Sequence, residues 1–327
     1  MGRFHEFISS VFFWPTWVTA LMLCLSTTAV GDSPPVIIDV VLGEPVPLDT
    51  MLDDLATVRV IYVGEIHSIS RHHRIQRDLL RRMAEKGINL ALGLEMFTED
   101  QQPVLDRWQA TQESFAHLIR DLGNEKWTNL KDYELLIAAA RQLKIPIVGL
   151  NASDSLVRKV AREGVQGLTE SERKRLPDGF DRINPEHDRL LRLRLKVHRA
   201  FQDKSLERIV LAQALRDATM ACAAARFLDS SVGQDRTFVI VAGAGHVNYG
   251  FGIPDPLSRI KKEPFRIILI TESGELVLSE AEKRQSVPVE ITHQDLRFIR
   301  APIADYLLLT PLKPSQQPPA NDFSLNN

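Results

Sequence analysis

Two histidines in this chain stand in matching positions. The run Val58–Val63 is followed by Gly64-Glu65-Ile66-His67, and the run Thr237–Ala242 by Gly243-Ala244-Gly245-His246. Apolar, β-branched runs that end in glycine read as interior strands of a parallel sheet, and ligand sites in such sheets gather beyond the strands' carboxyl ends. A carboxylate and an imidazole two residues apart, as in Glu65 and His67, can exchange a proton or together hold a divalent transition metal. Taken alone, the same pair reads equally as a helix N-terminal carboxylate and a surface histidine. Glu95 ends a third apolar run, where a carboxylate must be paired, coordinated or exposed. Around His246, four glycines within ten residues, Gly243, Gly245, Gly250 and Gly252, leave a backbone that a flat ligand can approach closely. Tyr249 stands among them. Histidine and tyrosine are both axial ligands of haem iron; the plainer reading is a glycine-rich turn with Tyr249 packed at its edge.

Other polar residues sit where they could support such a site. His72 and His73 open the helix after His67, and adjacent helical residues point apart, so both cannot face the site: at most one does and the other is solvated, or either is a first-turn polar residue with no role. Gln213 and Asp217 lie one turn apart on an otherwise apolar helix face. They read either as a satisfied polar pair in the core or as groups that orient a histidine. Arg189, Arg192, Arg194, Lys196 and Arg199 form a solvated helix face or, beside a pocket, partners for the propionates of a porphyrin.

The elements that must position these residues alternate. Strands are expected at Val36–Val41, Val58–Val63, Asn89–Glu95, Ile145–Leu150, Arg236–Ala242, Phe265–Ile270 and Leu276–Leu278, with Ala304–Thr310 returning as an edge strand. Helices are expected through Leu55 and over Arg71–Lys86, Asp132–Leu143 and Leu206–Leu228. This pattern predicts an α/β fold with a mainly parallel central sheet flanked by helices and a helical insertion over about 97–205. The alternating Leu191–Val197 is read as helix, because Leu, Arg and Lys favour it. One domain spans 32–310, and the Pro-, Gln-, Ser- and Asn-rich 311–327 is a disordered tail.

The N-terminal 31 residues differ in kind. Arg3 precedes an uncharged stretch from Phe7 to Val30, then the small residues Ala29 to Gly31, which is the order of an export signal with a cleavage site. A retained membrane anchor and acylation at Cys24 are the alternatives. Cys222 is then the one remaining thiol, which leaves no internal disulfide, no covalent haem attachment and no cysteine-rich zinc site. A net charge of -2 in 327 residues gives no reason to expect nucleic acid as a partner. Neither histidine motif is His-Glu-x-x-His, and the glycine loop lacks the Lys-Ser or Lys-Thr of a phosphate loop.

The strings Gly64-Glu65-Ile66-His67, Arg71-His72-His73-Arg74-Ile75-Gln76, Gly93-Leu94-Glu95-Met96-Phe97 and Gly245 through Pro254 resemble the ChaN-type haem-binding uptake proteins. Ile147–Ala152, Ala212-Gln213 and Asp217–Ala221 fit as well. These proteins belong to a superfamily with the Tiki, TraB and erythromycin-esterase-like proteins. The resemblance implies an exported protein, periplasmic or membrane-anchored in a bacterium. It would bind haem through His246 or Tyr249 in haem or iron acquisition, possess no catalytic residues, and be able to form a homodimer. His67 and the four glycines would line the site. The Tiki and TraB branch implies an alternative, a metal-dependent hydrolase in which His67, His246 and Glu95 hold a divalent transition metal and Glu65 activates its water.

Overall fold

The protein is described by a computed structural model covering residues 34–123, 130–195, 203–272 and 292–310. In chain order the strands are β1 (Val36–Asp39), β2 (Glu44–Pro45), β3 (Val60–Glu65), β4 (Leu90–Thr98), β5 (Ile147–Asn151), β6 (Thr237–Gly243), β7 (Phe265–Glu272) and β8 (Tyr306–Thr310). The helices are α1 (Leu48–Leu55), α2 (Ser70–Glu85), α3 (Gln102–Ala110), α4 (Phe115–Leu122), α5 (Glu134–Gln142), α6 (Asp154–Glu163), α7 (Glu170–Arg173), α8 (Pro185–Leu195), α9 (Asp203–Asp229) and α10 (Pro254–Ile260).

The strands form one sheet in the order β2-β1-β8-β7-β3-β6-β4-β5. The pairs from β8 through β5 are parallel, and β1 runs antiparallel to β2 and β8. Both faces are buried, which is why the central strands read as continuous apolar runs. On β3, Ile61 and Val63 join a core with α2 and α5, while Val60 and Tyr62 join the opposite core with α9 and α10. The expected fold class is therefore observed; among the described residues of the mainly helical 97–205, β5 is the one strand that lies wholly inside, with β4 ending at Thr98.

One detail differs from expectation. Residues 304–310 do not form an edge strand: β8 lies between β1 and β7, because β1 folds back against it, a pairing some 270 residues apart that no local pattern reveals. The Leu276–Leu278 strand, residues 1–31 and the 311–327 tail lie outside the described residues. Among the described residues, no helix is long and apolar enough to cross a membrane.

The connections define where a site can form. From β3 the chain passes through α2 on one face to β4; from β6 it passes through α10 on the other face to β7. The loops leaving β3 and β6 thus part in opposite directions, and the crevice between them is the switch point where open α/β sheets bind ligands.

Candidate functional site

Three adjacent strands deliver the site. Glu65 ends β3, Glu95 lies near the end of β4, and Gly243 ends β6 between them. Glu65 is buried and fully engaged: His67 Nδ1 donates to its Oε1 at 2.8 Å, the Tyr133 hydroxyl donates to the same oxygen, and Gln76 Nε2 donates to Oε2 at 2.5 Å. His73 Nε2 lies 3.2 Å from Oε2, and its ring packs at a tilt against that of Tyr133, with centroids 3.9 Å apart. Glu95 accepts from the Gly243 N–H at 2.7 Å and faces His246 Nε2 at 3.1 Å and His67 Nε2 at 3.8 Å. On its other side His246 Nδ1 donates to Asp217 of α9, and the Gln213 amide lies 3.0 Å from one ring nitrogen and 3.1 Å from the other.

These contacts make one charge network. Burial opposes ionisation of Glu65, but the bonds from His67, His73 and Tyr133 outweigh it and hold the carboxyl at about 2. Glu95 is likewise held at about 2 against its burial, by the charge and hydrogen bond of His246, by His67 and by the Gly243 N–H. His246 is pushed up to about 10, since the carboxylates of Glu95 and Asp217 overcome a burial that favours the neutral ring. His67 also rises despite burial, through Glu65 and Glu95. It is the most open of the four, with 35% of its side chain exposed.

All four residues expected to bind a metal, His67, His246, Glu65 and Glu95, are brought together, but as an ion-pair network. Among the described residues no group of three or more His, Cys, Asp or Glu is arranged to hold a metal ion. Both ring nitrogens of His246 face carboxylates, Nε2 that of Glu95 and Nδ1 that of Asp217.

The glycines divide into two kinds. A Cβ on Gly243 would fall 2.7 Å from His67 Nε2, and one on Gly252 would fall 2.2 Å from the His246 carbonyl oxygen, so both are packing positions rather than an open lining. Gly250 has open space around its Cα, and Gly245 has only the Arg194 guanidinium, 3.9 Å away. Between them Tyr249 is half-buried at φ +59°, a left-handed conformation rare for a bulky residue. Its N–H is tied to the Ile303 carbonyl at 2.8 Å.

Arg194 reaches this loop from α8, and Asn248 accepts from both of its terminal nitrogens at 3.1 and 2.6 Å. Arg192 instead pairs with Asp188, and Arg189 stacks on Phe298; Lys196 and Arg199 lie outside the described residues. Neither His72 nor His73 lies in solvent: both are buried, and while His73 faces Glu65, His72 Nδ1 accepts the Ile66 N–H at 3.1 Å and its Nε2 lies 3.2 Å from Glu272. Tyr133 was not foreseen, because no strand end or motif marks it and its contact spans 68 residues.

The family model described as "Haem-binding uptake, Tiki superfamily, ChaN" matches residues 51–257, which contain every member of this network and Tyr249. The chain belongs to that family. A solved structure of ChaN from Campylobacter jejuni, titled for its cofacial haem binding, matches this ChaN-family fold with a TM-score of 0.62 at 20% identity. The match covers 84% of this chain and 96% of that one. Protein RETICULATA-RELATED 5, chloroplastic, of Arabidopsis thaliana is 25% identical over 297 residues. That match covers 84% of this chain but 37% of the plant protein, so the chain spans little more than a third of that relative.

Proposed function

We propose that this chain binds haem non-covalently at the glycine loop, with the Tyr249 phenol as iron ligand, and serves haem or iron acquisition or trafficking in a bacterium. The observation that carries the reading is the presentation of Tyr249. A bulky residue is held at positive φ, with open space at Gly250 beside it and the Arg194 guanidinium at the loop's other end. Strain of this kind persists where the surroundings enforce it, and it clusters at ligand sites. The donor set suits the group: a phenol oxygen is an established iron ligand in haem proteins, and a guanidinium pairs with a propionate in forked geometry. When bound, haem supplies the redox-active iron and a planar apolar surface. The chain's own part is positional. His246, locked between Glu95 and Asp217, fixes the start of the loop, and Gly252 lets the loop close over the His246 carbonyl.

Titration of the purified chain with hemin, followed at the Soret band, tests the reading. A saturable shift is expected, weakened about tenfold in Arg194→Ala; a spectrum identical to free hemin would overturn it. The same proposal places the protein outside the cytoplasm through residues 1–31, anchored or released, and admits a homodimer. N-terminal sequencing of the protein from fractionated cells checks the first part, with an intact Met1 in the cytoplasmic fraction as the contrary result. Sedimentation with and without hemin checks the second.

A further inference from the structure

The loop that carries Tyr249 is strained, so its surroundings must hold it. Tyr249, Gly250 and Gly252 lie at φ +59°, +72° and +62°, a region that only glycine adopts freely. The backbone N–H groups of residues 249–253 show what fixes it. Gly250 donates to the Val247 carbonyl, Phe251 to that of Asn248 and Ile253 to that of His246, all within the loop itself. The Tyr249 N–H goes to the Ile303 carbonyl. Gly252 alone of the five donates to a side chain: its N–H meets Nδ1 of His187, on α8, at 3.3 Å.

His187 is well placed for that bond. It is buried, and burial pulls its pKa down; a neutral ring keeps the lone pair on Nδ1 that an acceptor needs. Its ring stacks on Phe251, with centroids 5.6 Å apart and 23° between the planes, and Phe251 packs at a tilt on Tyr249 at 5.8 Å. Arg194 stands seven residues on, on the same face of α8, and meets Asn248. One helix therefore grips the loop on both sides of Tyr249. Gly252 is itself buried, so removing the acceptor would leave a buried N–H unpaired, which native folds avoid. Movement of the loop would return that N–H to water and release the strain at Tyr249 in the same step.

We infer that His187 is a positioning residue, which holds the loop through the Gly252 N–H in the conformation that presents Tyr249. Its consequence for haem rests on the reading of Tyr249 as iron ligand, but the holding of the loop needs no haem and is measured without it.

The test uses the full chain with two substitutions. His187→Phe keeps a ring against Phe251 but has no acceptor, and His187→Asn loses the ring but sets an oxygen at the Nδ1 position. In the haem-free chain, hydrogen exchange over residues 247–253, read by peptide mass spectrometry, should quicken about tenfold in His187→Phe. It should stay within about threefold of the parent in His187→Asn, with β3 and β6 unchanged in both. Hemin affinity at the Soret band should follow the same order, about tenfold weaker in His187→Phe and within about threefold of the parent in His187→Asn. A histidine that only filled space would give the reverse order. Exchange that quickens in β3 and β6 as well marks a lost fold in His187→Phe, and His187→Asn then decides: parent-like exchange and affinity uphold the acceptor, and their loss overturns it. Equal exchange in all three proteins, His187→Asn as impaired as His187→Phe, or faster exchange with unchanged hemin affinity would also overturn the inference. If the parent takes up no hemin while exchange still separates the variants, the haem reading falls and the holding of the loop by His187 stands.

Discussion

Glu95 stabilises the fold ionised and His246 stabilises it protonated, so one buried pair ties stability to pH from both sides. The carboxyl of Glu95 is held at about 2, below its ordinary 4.5; its contribution is present above pH 4.5 and lost as pH falls toward 2. His246 is raised from 6.5 to about 10; its contribution is present below pH 6.5 and lost as pH rises through 10. These are two views of one interaction and do not add. We expect a melting temperature that is flat between pH 4.5 and 6.5 and falls on either side. Each limb reflects on the order of 3 kcal/mol, and both limbs should flatten in Glu95→Gln. Thermal melts of the two proteins across this range check it, and parallel curves would contradict it. Glu65, His67, Glu95 and His246 were legible because each sits at or just beyond the end of an apolar run. Tyr133 and His73 were not: which way a residue faces depends on helix phase and on a partner far away in the chain.

At the scale of the loop between β6 and α10, the sequence announces four glycines but not their different duties. Gly243→Ala would push against His67 and, overpacking a buried contact, should destabilise by about 1–3 kcal/mol. Gly245→Ala meets no atom closer than 3.9 Å and should fall within about 0.5 kcal/mol of the parent. Denaturant unfolding of the two variants separates these duties, and equal losses would refute the assignment. Tyr249→Gly tests the strain directly. Relief of the left-handed backbone, roughly 1 kcal/mol, should offset the lost packing on Phe251, leaving stability within about 1 kcal/mol of the parent. A loss above about 2 kcal/mol would show that the tyrosine is there for packing. The helix elements were easier to read. The apolar spacing of α2 and α9 gives their extents nearly as found, and the alternating Leu191–Leu195 proves helical, since Leu and Arg favour that state over strand.

For the whole molecule, the alternation of strands and helices was enough to give a parallel α/β sheet and to place the two histidine motifs on one rim. It was not enough to give strand order, since β8 gains its interior position from a pairing with β1 that closes nearly the whole chain. The topology then explains why the rim holds a site at all: connections part between β3 and β6, and the network fills the crevice they leave. The two histidine motifs are joined through Glu95 into one ion-paired network, and the proposed function assigns the ligand to the loop that carries Tyr249. Haem binding as proposed therefore depends on that tyrosine more than on either histidine. The affinity of Tyr249→Phe for hemin, measured beside the parent at the Soret band with melting temperatures taken on both, tests it most directly. A loss of about a hundredfold or more with the fold intact is expected if the phenol oxygen holds the iron, while an unchanged affinity would contradict that role.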